Sequence, residues 1–269
     1  MATSKLKGAV CLIASGAKNL GGVCAHNIVE RGGKVVLCDT EAESGEKIQE
    51  ALGNENCLFV PADLTREKDV EKVIALTAQN FGRLDVTINC PTRARTFKIL
   101  SEKELKKYAD HNTAVEKEKS KNIENIFKEN LTSTFNVCRL SAGLMAENKP
   151  DVNGQRGVII NKSHSLAFGS SLAPYTMSQS AIIGMTLPMA RDLNDLGIRV
   201  NSIAIGFLDY QIHRTQNGKI EKPIFSLMTF PHKLGSSQTF FHLCEKIIDN
   251  PYVNGEVIKL DAGVNTILL

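Results

Sequence analysis

The sequence predicts an α/β fold, and three observations support that prediction. Apolar runs of strand length alternate with helical patterns along the whole chain, as is typical of βαβ units around a parallel sheet. A Gly-rich turn, SGAKNLGG, directly follows the first apolar run. The length of 269 residues suits one domain over 1–269, without an internal repeat. We therefore expect a single-domain, doubly wound (Rossmann-like) parallel sheet of about seven strands with helices on both faces.

The elements follow in order from apolar runs and turn signals. The predicted strands are AVCLIA (9–14), KVVLCD (34–39), CLFVPAD (57–63), LDVTINC (84–90), GVIIN (157–161), IRVNSIA (198–204) and GEVIKLD (255–261). The Gly-rich turn opens a helix that ends near Arg31, because Gly32 and Gly33 stop it. Helical patterns also cover 66–81 and 181–193, and the latter begins just after the sequence YTMSQ.

Two stretches depart from this alternation. Residues 101–130 carry seven lysines and seven acids, and are expected to form a solvated helix or a mobile excursion. Residues 206–235 form a long irregular segment after a strand, where a substrate lid would lie in an α/β sheet.

Composition excludes several classes of protein. Hydrophobic residues make up 42% and charged residues 23%, which is ordinary globular usage. No apolar run approaches the roughly 18–20 residues that cross a bilayer, so no membrane association is expected. The net charge of +3 does not indicate direct nucleic-acid binding. Seven singly placed cysteines predict buried, reduced thiols rather than a metal site or disulfides.

The first turn and the second strand together predict a dinucleotide site. Gly16, Gly21 and Gly22 allow backbone N–H groups to approach a pyrophosphate at a helix N-terminus. Asp39 ends the second strand, where an acid binds the adenosine ribose and repels a 2′-phosphate, so NAD is favoured over NADP. The alternative is that the glycines only pack a helix on a sheet and Asp39 only ends a strand.

With these residues, the chain resembles the short-chain dehydrogenase/reductase family. The similarity is carried by the blocks VPADLTREKDV, FNVCRL, NGQRGVIIN, GMTLPMARDL, GIRV and NPYVNGEVIKLD. They are most similar to a mitochondrial branch of that family. The resemblance implies an NAD cofactor, 3-hydroxyacyl-CoA or hydroxysteroid substrates of lipid metabolism, a homotetramer and a mitochondrial address. The N-terminal MATSKLKG, with two lysines and no acid, is a weak targeting signal, and without import the chain would be cytoplasmic.

The resemblance also implies site residues. The family transfers a proton with a Tyr, a Lys four residues later, a Ser and an Asn; Tyr175 and Asn130 match the Tyr and the Asn. Gln179 stands at the Lys position. Alignment on the strand places His164 at the Ser position, whereas counting thirteen residues back from the Tyr gives Lys162. The implied cofactor-binding positions are Ser15, Gly16, Asn19, Leu20, Gly21, Asp39, Asp63, Leu64 and Cys90, and no metal is implied.

Several of these positions depart from the family pattern. The family has glycine where this chain has Ser15 and Asn19, so Ser15 is expected to adopt a conformation that glycine takes freely, at a cost of ~1 kcal/mol or more. After the fourth strand, Pro91 offers no N–H and Thr92 adds bulk. A further basic set is expected on the solvated surface rather than on cofactor phosphates: Lys18, Lys162, Arg93 and Arg95.

The largest departure is electrostatic. A lysine ammonium ~5 Å from a phenol, at an effective dielectric near 20, favours the phenolate by ~3 kcal/mol, or about two pKa units. The neutral amide of Gln179 supplies almost none of this, so catalysis is expected to be weakened about 100-fold or lost. A protonated His164 would replace part of the charge, or its ring would polarise a carbonyl as the Ser does. Two functions stay open: a slow NAD-dependent dehydrogenase, and a pseudoenzyme that acts as a binding, scaffold or oligomerising module.

Overall fold

The computed structural model describes residues 4–91, 117–169, 173–210 and 228–264, with side chains from 121 onward in the second range. The described ranges exclude Thr92, Arg93, Arg95 and parts of the predicted charged excursion (101–130) and lid (206–235).

The sheet has seven parallel strands in the order β3-β2-β1-β4-β5-β6-β7, which confirms the predicted fold class. The strands are β1 (Val10–Ala14), β2 (Lys34–Asp39), β3 (Cys57–Pro61), β4 (Val86–Asn89), β5 (Gly157–His164), β6 (Ile198–Ile205) and β7 (Val257–Leu260). The chain runs outward from β1 to β3 and then returns to place β4 on the other side of β1. The crevice between the carboxyl ends of β1 and β4 is therefore the expected ligand position.

Helices cover both faces of the sheet. They are α1 (Asn19–Glu30), α2 (Ala42–Leu52), α3 (Glu67–Phe81), α4 (Lys117–Phe127), α5 (Ser133–Ala146), α6 (Ala173–Asp192) and α7 (Ser237–Asp249). A π-helical turn, Lys128–Thr132, joins α4 to α5, and short 3₁₀ turns follow β5 (Ser165–Phe168) and α6 (Asn194–Leu196). The described part of the predicted charged excursion is thus helical from residue 117 onward.

Two apolar cores lie on opposite faces of the sheet. One packs β-strand residues against α1 and α7, and includes Leu20, Ile28, Phe240 and Phe241. The other packs the same strands against α3, α5 and α6. All seven cysteines are buried free thiols, as predicted. In the part of the chain that the structure describes, no helix is long and apolar enough to cross a membrane.

Candidate active site

The turn after β1 folds closely on itself. Ser15 has φ 57°, which confirms its expected left-handed conformation, and Asn19, the other position where the family has glycine, has φ 55°. A Cβ on Gly21 would lie 2.3 Å from the Gly16 Cα, and one on Gly16 would lie 2.4 Å from the Leu37 Cδ1. Gly16 and Gly21 are therefore required for the close approach of α1 to the sheet.

Ser15→Gly is expected to raise the free energy of unfolding by about 1 kcal/mol, because glycine takes a positive φ without the steric penalty of a Cβ. Urea unfolding measures the change. Ser15→Ala is the matched control, since it removes the hydroxyl but keeps the Cβ, and it should give no gain. Equal stability of the two variants would contradict a strained turn.

Asp39 is held against this turn at the end of β2. Its Oδ2 accepts a hydrogen bond from the Ala17 N–H at 3.1 Å, and its Oδ1 accepts one from the Glu41 N–H at 3.3 Å. The carboxylate thus links the end of β2 to the first turn and stays half-exposed.

A cavity of about 400 Å³ opens beside Asp39 at the carboxyl ends of β1, β2 and β3. Five predicted cofactor positions line it together, and they are Ser15, Asn19, Asp39, Asp63 and Leu64. The cavity also has lining residues that the sequence did not single out, namely Thr40, Glu41, Thr65, Asn125, Lys128, Glu129 and Ser133. Thr40, Glu41 and Thr65 directly follow predicted positions, so their place beside the cavity could have been inferred. The other four lie 60 or more residues further along the chain, where no local pattern indicated it.

Two predicted cofactor positions have no accessible side chain. Leu20 and Cys90 are both 0% exposed and belong to the core against α1 and α7. The Cys90 N–H donates to the Ala14 carbonyl at 2.9 Å, so this backbone group serves the sheet. A ligand would meet neither side chain directly.

Tyr175 and His164 meet at the carboxyl end of β5. Tyr175 lies in the first turn of α6, which begins at Ala173, earlier than the helical pattern predicted. The rings are edge-on with centroids 6.0 Å apart, and the His164 ring also meets Phe207 at 5.7 Å. Burial raises the pKa of the Tyr175 phenol well above its ordinary value.

His164 is a neutral hydrogen-bond donor rather than a cation. Burial, with a smaller contribution from the charge of Lys162, lowers the pKa of His164 to about 3. Its Nδ1 accepts the Leu166 N–H at 3.2 Å, which leaves the proton of the neutral ring on Nε2. Of the two alternatives left open for His164, a protonated ring that replaces the missing charge does not fit this lowered pKa, whereas polarisation by the Nε2–H is chemically available.

The first turns of α6 are fastened by hydroxyl groups. Asn130, inside the π-helical turn, donates from Nδ2 to Ser178 Oγ at 3.1 Å, and Ser178 Oγ donates to the Tyr175 carbonyl at 2.8 Å. Ser163 Oγ donates to the Gln179 carbonyl at 3.0 Å. Asn130 thus has a positioning contact, and Ser163 is engaged in holding the helix.

Gln179 places an amide without hydrogen-bond partners among the described residues of the site. Its side chain is 1% exposed, and both its Nε2 and its Oε1 lack a hydrogen-bond partner among the described residues. An unpaired buried amide costs about 1–3 kcal/mol, so the position favours a polar ligand group that pairs with it.

Lys162 corrects a sequence prediction. It was expected on the surface, but it is 2% exposed, and its Nζ donates to the Pro91 carbonyl at 2.5 Å. Desolvation lowers the pKa of Lys162 to about 8. The sequence did contain a signal of this burial, since Lys162 directly follows the apolar run GVIIN (157–161). Lys18, by contrast, is exposed as expected and pairs with Glu41 at 2.9 Å.

Comparison with known proteins identifies the family to which this chain belongs. The short chain dehydrogenase family profile matches residues 9–221. The chain belongs to the short-chain dehydrogenase/reductase family. It is similar to 3-hydroxyacyl-CoA dehydrogenase type-2 of Homo sapiens, with 41% identity over 98% of this chain and 97% of that protein. It is also similar to ipsdienol dehydrogenase of Ips pini, with 28% identity over 97% and 98% of the two chains.

The fold of this short-chain dehydrogenase is shared with a solved relative. The crystal structure of 3-hydroxyacyl-CoA dehydrogenase type-2 from Mycobacterium avium superposes with a TM-score of 0.84 at 27% identity, covering 96% of each chain. Family membership implies a nicotinamide dinucleotide, NAD(P), and the residues present fit one. The glycine cradle, the Asp39 carboxylate beside its cavity and the unpaired Gln179 amide lie along one edge of the sheet.

Proposed function

We propose that this protein is an NAD(H)-binding oxidoreductase that interconverts a secondary alcohol and a ketone slowly. The observation that carries the proposal is the edge-on pair of Tyr175 and His164, 6.0 Å apart, at the same sheet edge as the glycine turn and Asp39. A proton donor to the substrate oxygen and a dinucleotide site are the two parts that such a reaction needs.

The dinucleotide would be held by the turn from Ser15 to Gly21 at its pyrophosphate, and by Asp39 at its adenosine ribose. Asp39 supports NAD rather than NADP, because its carboxylate repels a 2′-phosphate. The Gln179 amide would pair with hydroxyls of the second ribose, which would satisfy its two unpaired atoms. When bound, NAD(H) supplies or accepts the hydride.

Two side chains of the protein would act on the substrate oxygen. The Tyr175 phenol gives its proton to the oxygen during ketone reduction, and takes it back during alcohol oxidation. The His164 Nε2–H donates a hydrogen bond to the same oxygen in the place where the family has a serine hydroxyl. At neutral pH the pair suits reduction better than oxidation, because the raised pKa keeps the Tyr175 phenol protonated, as reduction requires, and leaves little of the phenolate that oxidation requires.

The substrate class is proposed from the similar proteins. The name of 3-hydroxyacyl-CoA dehydrogenase type-2 states its substrate, and the similarity between that protein and this one covers nearly the whole chain. We therefore propose a 3-hydroxyacyl-CoA or a hydroxysteroid, with a mitochondrial address and a homotetramer as further proposals from the same resemblance. A native mass spectrum and import into isolated mitochondria test the last two.

A second candidate function is a binding or oligomerising module without useful turnover. The observation that favours it is the missing cation beside Tyr175: among the described residues, burial alone accounts for the shift of the Tyr175 pKa, and no ammonium opposes it. A module of this kind would bind the dinucleotide and act as a scaffold subunit or as a partner of an active relative.

The two candidates are separated by binding and turnover measured on the same preparation. NAD⁺ and NADH should bind in calorimetry, and Asp39→Asn should weaken both by about 10-fold and improve NADP⁺ binding, because a charged hydrogen bond and a repulsive charge are removed. Glu41→Gln is the matched control, since Glu41 lines the same cavity but forms an ion pair with Lys18.

Turnover is then followed as NADH consumption with a 3-ketoacyl-CoA. Slow turnover that disappears in Tyr175→Phe supports the dehydrogenase. Binding with no turnover selects the module. Absence of binding for both dinucleotides would contradict both proposals.

A further inference from the structure

Lys162 places an ammonium group at the substrate end of the predicted dinucleotide site. It lies two residues before His164 on β5, and alternate residues of a strand share a face. Its Nζ donates to the carbonyl of Pro91, which follows β4, so the ammonium bridges the carboxyl ends of β4 and β5.

The order of the strands determines which part of a bound dinucleotide would lie next to the Lys162 ammonium. Asp39 ends β2, the glycine turn follows β1, Pro91 follows β4 and His164 ends β5, and these four strands are consecutive neighbours in the sheet. Neighbouring strands lie about 4.8 Å apart, so the site extends roughly 14–15 Å from Asp39 to His164. With the adenosine end at Asp39, the nicotinamide end falls between β4 and β5, next to Lys162.

No carboxylate neutralises Lys162 among the residues that the structure describes, where its partner is the Pro91 carbonyl. Its charge reaches the site, because it contributes to the lowered pKa of His164. It does not replace the missing lysine of the proton-transfer pair, since burial alone accounts for the raised pKa of Tyr175.

We infer that Lys162 makes the site select the reduced dinucleotide: its ammonium repels the positively charged nicotinamide ring of NAD⁺ and leaves the neutral ring of NADH unaffected. This inference rests on the proposed function and assigns it a direction, toward ketone reduction. The pyrophosphate is common to both forms, so its attraction to Lys162 cancels in the ratio of the two affinities.

The test measures the ratio of Kd for NAD⁺ to Kd for NADH, by calorimetry and by NADH fluorescence, in wild type and in Lys162→Met. Unit charges about 6–8 Å apart at an effective dielectric near 20 change such a ratio by about 30- to 100-fold. The ratio should therefore fall by that factor in Lys162→Met, because methionine fills a similar volume without charge.

Lys18→Met is the matched control. Lys18 lines the cavity at the adenosine end and is exposed, so its removal should change both affinities alike and leave the ratio unchanged. An unchanged ratio in Lys162→Met, with both dinucleotides bound, overturns the inference and leaves the proposed function standing. If neither dinucleotide binds to wild type, the proposed function fails and the inference fails with it.

A second measurement does not depend on the folding of a variant. In wild type the ratio should fall between pH 6.5 and 9.5, because Lys162, with its pKa of about 8, loses its charge over this range. The other titratable groups around it stay neutral, since burial raises the pKa of Cys90 on β4, Cys24 on α1 and Tyr175 on α6 and lowers that of His164 on β5. A ratio that is constant over this range contradicts the inference.

Discussion

Gln179→Lys is expected to raise kcat/KM for alcohol oxidation about 100-fold at neutral pH. Burial raises the pKa of Tyr175, and no cation near it opposes this shift among the described residues. An ammonium ~5 Å from the phenol at an effective dielectric near 20 would stabilise the phenolate by ~3 kcal/mol, or about two pKa units. The phenolate fraction at neutral pH, and with it the rate, should rise by the corresponding factor.

The measurement is a pH–rate profile for wild type and Gln179→Lys. The inflection that reports Tyr175 should move about two units toward lower pH in the variant. Adding His164→Ser tests whether the imidazole N–H already serves as the hydrogen-bond donor; if it does, the second substitution adds less than 10-fold.

Gln179→Met is the matched control at the same position. It supplies no charge and should not raise the rate. Because it removes two unpaired buried amide atoms, it should raise the free energy of unfolding of the ligand-free protein by about 1–3 kcal/mol. A rate increase in Gln179→Met equal to that in Gln179→Lys would exclude the electrostatic account of the weakened site.

Gly21→Ala is expected to lower the free energy of unfolding by about 1–3 kcal/mol and to weaken dinucleotide binding more than 10-fold. The new Cβ would lie 2.3 Å from the Gly16 Cα and 2.7 Å from the Gly16 carbonyl oxygen, so backbone rather than a flexible side chain must move. Opening the turn displaces the N–H groups that face the pyrophosphate. Urea unfolding and calorimetry measure the two effects.

Gly22→Ala is the control, one residue along the same helix. Its Cβ would meet the Ile48 Cδ1 at 3.4 Å, an ordinary contact. Alanine is favoured over glycine in a helix by about 1 kcal/mol, so this variant should be more stable than wild type. If Gly21→Ala is stabilised as well, the turn is not closed as the structure has it.

The fold and the site differ in how closely they follow the family. The paired cores and all seven strands are present, and the site residues that depart from the family pattern lie at the carboxyl edge of the sheet. Ser15 and Asn19 occupy positive φ. Among the residues that the structure describes, the Gln179 amide has no hydrogen-bond partner and the buried Lys162 has no acid beside it. Each of these costs stability in the ligand-free protein, which is expected where a surface is shaped for a ligand.

The elements could be predicted with small errors at their ends. β2 was predicted at its observed bounds, because Gly33 and Thr40 delimit a continuous apolar run. β5 extends three residues beyond the predicted GVIIN, to His164, because Lys162 and Ser163 continue the pairing with β6 despite their polarity. α6 likewise begins before its apolar pattern. Its first turns are held by hydrogen bonds from the Ser163 and Ser178 hydroxyls to backbone carbonyls of the helix.

The sequence by itself determined the parallel sheet, the glycine turn, Asp39 and the absence of a lysine at position 179, because each depends on residue type and short spacing. Only the tertiary structure decided that His164 is neutral, that Lys162 is buried and that the Gln179 amide lacks a partner within the described ranges. Those properties depend on how far each group is removed from water and on which groups face it across strands distant in sequence. Desolvation depends on the packed structure, so the protonation states of the site residues could not be predicted from the sequence.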